Sequence, residues 1–238
     1  MAFESAQRIV IVQARLESQR RSGKGLALIG SQSLVSTVLD RTLAIEGADR
    51  VILATTDREA DDTLVDHVAD RYGTTIDIVR GSSEDVQSRF IHAAEPFGDC
   101  LVARVTADDP FKDPALYAKG FDLLESSGVD YVCIGTTPIP LGMDVEVFTS
   151  EALQRSRRLY PTTENLEHVT IEMTRQPEFV RQQLMVPDLR GTARLTVDYE
   201  ADITYASLVA EHIARLGGSF DYLTTLAAVG LATLEGSE

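Results

Sequence analysis

Twelve residues near the amino terminus, Gln13 to Lys24, read Gln-Ala-Arg-Leu-Glu-Ser-Gln-Arg-Arg-Ser-Gly-Lys. Arg15, Arg20, Arg21 and Lys24, with Ser18, Ser22 and Gly23, can surround a polyphosphate with fixed cations and backbone donors. Two standard phosphate loops are excluded. No G-x-G-x-x-G follows the first strand, and Gly23-Lys24-Gly25 lacks both the earlier glycine and the following Ser or Thr of a P-loop. Side-chain charge therefore has to do most of the phosphate binding. A solvated charged loop would share this composition. Its place directly after a buried strand favours binding, because ligands collect beyond the carboxyl ends of strands in open parallel sheets.

Other reactive groups lie further along. Asp144 and Glu146, two residues apart on a predicted strand, share one side of it, and paired carboxylates can accept hydrogen bonds from several hydroxyls. Arg194 can neutralise a carboxylate or phosphonate on an acidic ligand. Asp85 and Arg89, four apart, read as a helical ion pair. Asp113, just before Pro114, reads as a helix cap, and His67, His92 and His212 as surface or packing residues on helices.

The elements that must position these groups alternate. Arg8–Val12, Val51–Ala54, Ile76–Val79, Cys100–Val105 and Tyr131–Ile134 are short apolar, β-branched runs of the kind covered on both faces. Between them lie amphipathic helices: one after Ser33 as cap, one ending at Gly73, one capped by Ser82 or Ser83, and one opening with Pro114. This order predicts an α/β domain with a mostly parallel sheet between helical layers. After about residue 135 the rhythm changes. Asp144–Phe148 predicts a half-exposed strand, Glu151–Tyr160 and Glu164–Arg175 helices, Arg194–Val197 a strand, and Ala201–Leu216 a closing helix. With no linker or repeat, one domain over residues 1–238 is the economical expectation.

Composition narrows the partners. Asp and Glu outnumber Lys and Arg by 37 to 22, a net charge of -15 that argues against nucleic acid. Cys100 and Cys133 form no close pair, so neither a zinc cage nor a disulfide framework is indicated. Residues 1–7 lack an apolar signal core, and no run approaches the ~20 apolar residues that span a bilayer. The expectation is a cytoplasmic protein without a membrane partner.

The loop from Gln13 to Lys24 resembles A-R-x-x-S-x-R-L-P-G-K, the signature of the cytidylyltransferases that activate acidic sugars such as 3-deoxy-manno-octulosonate and acylneuraminate. It is most similar to the spore coat polysaccharide biosynthesis protein F-like branch, whose first strand ends in Q-A-R. Similarity continues through Ala54–Asp57, Arg80-Gly81-Ser82, Asp85-Val86, Arg89-Phe90, Arg104–Pro114, Gly142–Phe148, Glu167–Thr170 and Leu195–Asp198. Ser22 stands where the signature has proline, Arg21 where it has leucine and Ala107 where it usually has glycine.

The resemblance implies a nucleotide-diphospho-sugar transferase fold of three α/β/α layers, with an acceptor-binding and dimerisation subregion near residues 138–190. It implies nucleotide binding by Gln13, Ala14, Arg15, Ser18, Gly23, Lys24, Arg80, Gly81 and Ser82. Arg15, Lys24 and Asp108 take catalytic roles, and Asp108 and Asp198 hold Mg²⁺. His168 contacts the acceptor's acidic group, alongside Asp144, Glu146 and Arg194. The implied reaction joins CTP and an acidic sugar to give a CMP-sugar and pyrophosphate, in a homodimer. Alternatives are another triphosphate, a phosphate or phosphonate acceptor, a nucleotide-sugar-dependent glycosyltransferase, or a non-catalytic nucleotide-binding subunit.

Overall fold

The run Arg-Ile-Val-Ile-Val-Gln forms strand β1 (Arg8–Gln13), and its four middle residues are fully buried. Successive strand side chains face opposite ways, so Val10 and Val12 enter one apolar layer while Ile9 and Ile11 enter the other. A computed structural model describes residues 6–17, 23–134, 139–186 and 193–235.

After β1 come the hairpin strands β2 (Leu28–Ile29) and β3 (Gln32–Ser33), helix α1 (Leu34–Leu43) and strand β4 (Arg50–Thr56). Then follow α2 (Asp62–Tyr72), β5 (Asp77–Gly81), α3 (Val86–Ala94), β6 (Leu101–Thr106) and α4 (Pro114–Ser127). The later half holds β7 (Tyr131–Ile134), β8 (Glu146–Thr149), α5 (Ser150–Leu159), α6 (Thr163–His168), α7 (Ile171–Arg175) and β9 (Arg181–Leu184). Helices α8 (Glu200–Arg215) and α9 (Tyr222–Glu235) follow.

The main sheet has seven strands in the order β5-β4-β1-β6-β8-β7-β9, and every pairing is parallel except those of β8 with β6 and β7. Helices α1, α2 and α4 cover one face through Val38, Leu64 and Phe121, while α3, α5 and α7 cover the other through Phe90, Leu153 and Met173. This is the mostly parallel α/β architecture expected. From β1 the chain steps outward to β4 and β5, then returns to the opposite edge of β1 as β6. The carboxyl ends of β1 and β6 therefore flank the topological switch point, where a crevice opens.

Capping follows local chemistry in α1 and α4: Ser33 accepts the amide of Ser36, and Asp113 those of Ala115 and Leu116. Helix α3 departs from expectation. Its cap is Asp85, which accepts the Ser88 amide at 2.9 Å, rather than Ser82 or Ser83. Asp85 also pairs with Arg157 at 2.6 Å, which leaves Arg89 without the predicted partner.

The helix expected over Glu164–Arg175 is broken at Val169, whose φ of 62° and ψ of -54° are those of a γ-turn. The Thr170 amide donates across it to the His168 carbonyl at 2.6 Å. Tertiary hydrogen bonds impose the break: Gln87 donates to the Val169 carbonyl at 3.0 Å, and the Thr170 hydroxyl donates to Glu146 at 2.6 Å. Arg194–Val197 does not join the sheet. Only Arg194 makes an isolated bridge, to Leu141, because the Val197 amide donates to Asp108 and its carbonyl accepts from Lys24. The polar strand β9 and the last helix α9 were not anticipated, so the helix at 201–216 does not close the chain.

Candidate active site

Beyond the ends of β1 and β6 lie two adjoining hollows of about 340 and 620 Å³ that share Arg15, Val86 and Glu167 in their walls. Gln13 and Arg15 come from the end of β1 and Asp108 from just past β6. The Gly23 amide donates to the Leu16 carbonyl at 2.8 Å, which closes the base of the cationic loop and delivers Lys24 to the inner hollow. Gly23 itself has a φ of +76°. Ser18, Arg20, Arg21 and Ser22 lie outside the described residues.

Lys24 is the junction of the site. Its ammonium donates to Asp108 Oδ2 at 3.0 Å, to Asp198 Oδ1 at 3.1 Å and to the Val197 carbonyl at 2.9 Å. Two aspartates far apart in sequence thus face one cationic point. Arg194 supports Asp198 from outside, donating to Oδ2 at 2.5 Å and lying 3.6 Å from Asp202. The neighbouring Asp109 has an internal job: Thr106 and Thr196 donate to it at 2.6 and 2.8 Å, and Lys112 lies 3.2 Å away.

A second cationic group faces the crevice from the β5 side. Arg15 donates to the Ser83 carbonyl at 3.0 Å, and Arg89 to the Ser82 carbonyl at 2.6 Å. Arg89 is only 3 % exposed, its Nε has no partner, and it forms no ion pair among the described residues. Burial first, and then the like charge of Arg15, lower its pKa to about 10. A buried charge of this kind normally needs a counter-charge, and Arg89 lines the inner hollow. The sequence pattern contained Arg89, but its spacing from Asp85 suggested a surface pair. Asp61 was missed altogether. It accepts the Leu16 amide at 2.6 Å and the Thr56 hydroxyl, so it anchors the cationic loop to the end of β4.

Several expected binding residues are placed otherwise. Arg80 turns away from the hollows and braces the chain, donating to the carbonyls of Thr56 and Arg58 and pairing with Asp62 at 2.7 Å. Gly81 leaves space for Arg89, whose Cγ lies 3.2 Å from where a Cβ would stand. Ser82 offers its carbonyl to Arg89 and its hydroxyl to the amides of Glu84 and Asp85. Asp144 is held by buried Lys112 at 2.8 Å. Glu146 accepts from Arg104, Tyr131 and Thr170. Burial opposes the charge of Arg104, but Glu146 outweighs it and raises the pKa. The two acids are thus counter-charges for buried Lys112 and half-buried Arg104, because a cation drawn out of water takes the nearest carboxylate. Arg104 in turn donates to the Gln13 side chain at 3.0 Å and lines the inner hollow. His168 and Glu167 do face that hollow, presented by the end of α6 just before the γ-turn.

Among the described residues no three His, Cys, Asp or Glu side chains gather as a metal cage. Two carboxylates converging on one ammonium suit instead a hard cation that takes one or two carboxylates and fills its shell with phosphate and water. No helix among the described residues is long and apolar enough to cross a membrane.

Residues 9–190 match the family model described as cytidylyltransferase. The chain is 31% identical over 210 residues to the spore coat polysaccharide biosynthesis protein SpsF of Bacillus subtilis (strain 168), covering 85% of each. Its fold is similar to that of a cytidylyltransferase from Leptospira borgpetersenii serovar Hardjo-bovis, with a TM-score of 0.84 at 21% identity, covering 98% of this chain and 96% of that one. It is also similar to CMP:2-keto-3-deoxy-manno-octonic acid synthetase complexed with CTP, with a TM-score of 0.61 at 15% identity over 85% of this chain and 97% of that one. A match over most of the chain leads to one assignment: the chain belongs to the cytidylyltransferase family and is a nucleotidyltransferase enzyme.

Proposed function

We propose that this enzyme transfers CMP from CTP to an acidic sugar, with release of pyrophosphate and with Mg²⁺ held by Asp108 and Asp198. The observation that carries the reading is the convergence of Lys24, Asp108 and Asp198 in a crevice also lined by Arg15, Arg89 and Arg104. Receptors for a polyphosphate and for a cation meet there.

In the reaction an acceptor oxygen forms a bond to the α-phosphorus as the bond to the bridging oxygen of pyrophosphate breaks, and the acceptor's proton is lost to solvent. Bound Mg²⁺ would neutralise charge on the phosphates. Arg15 and Lys24 stabilise the leaving pyrophosphate, and Arg89 adds a fixed charge that needs no reorganisation. Gln13, Ala14 and Gly23 shape the nucleotide's bed, while Gly81 and Ser82 act through Arg89, which they seat. His168, at the inner hollow, is the group left to meet the acceptor's acidic function. Asp144, Glu146 and Arg194 serve behind it. A cytoplasmic homodimer, joined through residues near 138–190, completes the reading.

Pyrophosphate release with a panel of CTP, UTP, ATP and GTP and a set of acidic sugar acceptors tests it. CTP should be preferred, and chelation should stop the reaction until Mg²⁺ is restored. Asp108→Ala should lose roughly a hundredfold to a thousandfold in turnover while melting within a few degrees of the native protein. Full turnover in that variant removes the assignment.

A further inference from the structure

Three Lys or Arg residues are buried among the described side chains: Arg41, Arg89 and Lys112. Lys112 has its counter-charges in Asp109 and Asp144. Arg89 faces the crevice. Arg41, from α1, faces a separate cavity of about 460 Å³ that shares no lining residue with the crevice. That volume falls in the range of small-molecule sites.

The cavity opens between the β2–β3 turn, α1 and the end of α8, and its walls include Ile29, Phe111, Ala210, Ile213, Ala214 and Phe220. Arg41 is 3 % exposed and lies over the rings of Phe111 and Phe220, at 5.5 and 4.8 Å from their centroids. Its Nη1 donates to the carbonyls of Lys112 and Phe220, both at 3.0 Å, while its Nε has no partner. No carboxylate pairs with it among the described residues. Burial lowers its pKa to about 10 against the more distant pull of Asp113 and Asp221. Both of those acids are occupied. Asp113 caps α4 and accepts the Tyr222 amide at 2.9 Å, while Asp221 is tied to Ser219 and to the amide and hydroxyl of Thr224. Glu211, on the cavity wall, lies 3.7 Å from Arg215.

An apolar chamber containing a buried guanidinium without an acid has the complementary chemistry of an organic anion. We propose that this cavity is a second ligand site, for a small molecule with an apolar body and one anionic group, the body against the Ile, Phe and Ala walls and the anion on Arg41. The site is independent of the nucleotide reaction.

The fluorescent probe 8-anilinonaphthalene-1-sulfonate, an aromatic body with one sulfonate, tests this on the full chain. One saturable site is expected, unaffected by CTP. N-phenyl-1-naphthylamine, the same body without the sulfonate, should bind about tenfold or more weakly, as loss of a charged hydrogen bond predicts. Ala214→Phe, which adds a ring at the mouth of the cavity and keeps Arg41, should weaken probe binding severalfold while leaving CTP-induced thermal stabilisation intact. Arg41→Met should weaken it about as much as removing the sulfonate. Lack of saturation, equal binding of the charged and neutral probes, displacement by CTP, or indifference to Ala214→Phe would each overturn the proposal. Because the neutral probe needs no mutation, the test survives even if Arg41→Met fails to fold.

Discussion

Under the proposed function, Arg89 holds stability and binding in opposition. Its guanidinium is buried beside Arg15 with one carbonyl partner and an unsatisfied Nε. Leaving a charge in that position costs the free protein stability, and under the proposed function a bound triphosphate would return it. Replacement by methionine keeps the apolar stem and removes the charge. Arg89→Met is expected to melt no lower than the native protein while its affinity for CTP falls roughly tenfold to a hundredfold, the scale of a charged hydrogen bond. Isothermal titration and a melting curve on the same sample check both signs. Unchanged CTP affinity would mean that Arg89 is only a brace for the Ser82 carbonyl.

At the scale of elements, the site depends on irregular segments clipped to the end of the sheet. The chain around Gly142 lies against the Asp108–Asp109 loop on one side and Thr196 on the other. The Leu195 amide donates to the Leu141 carbonyl there, the Leu141 amide donates to the Ala193 carbonyl, and Gly142 has a φ of +98°. A Cβ on Gly142 would stand 3.0 Å from Asp109 Oδ1, from the Thr196 amide nitrogen and from Thr196 Oγ1. No rotamer change relieves that, since one of the atoms is backbone. Gly142→Ala is therefore expected to cost about 2–4 kcal/mol by denaturant unfolding, from left-handed strain plus overpacking. It should also reduce turnover by more than its stability loss explains, because the displaced segment carries Asp198. The γ-turn at Val169 is a second such device. A buried β-branched residue in that conformation costs on the order of 1–3 kcal/mol. Gln87 and the Thr170–Glu146 bond hold it, and it leaves His168 at the crevice wall.

Over the whole molecule, one buried cation, Lys112, gathers acids from two separate elements. The Lys112 ammonium joins Asp109, on the β6 loop, to Asp144, on the approach to β8. The Asp144 side chain is 53 % exposed, yet partial desolvation still opposes its charge; the attraction of Lys112 outweighs that, so its pKa lies below the ordinary carboxylate value. A carboxyl depressed in the folded state stabilises fully above its unfolded pKa, about 4, and that contribution is lost as pH falls through the lower folded value. Asp144→Asn should then melt only slightly lower at pH 7, by up to about 3 °C, because a half-exposed pair contributes about 1 kcal/mol or less, and the gap to the native protein should narrow as pH falls below about 4. A gap that persisted in acid would place the effect in packing rather than charge.

The alternation of β-branched runs with amphipathic stretches determined the α/β class and the parallel sheet, because burial on two faces writes a local pattern. The cationic stretch after β1 and the aspartate after β6 were legible for the same reason: strand ends in such a sheet meet at its switch point. What the tertiary structure alone decided was the pairing of charges. Asp85 chose Arg157 over Arg89, Arg80 turned to Asp62, Glu146 turned to Arg104, and Asp198 came beside Asp108 through Lys24. A charged side chain binds whichever opposite charge lies closest in space. Neighbours along the chain carry that information only within a helical turn or a strand, and each of these partners came from another element.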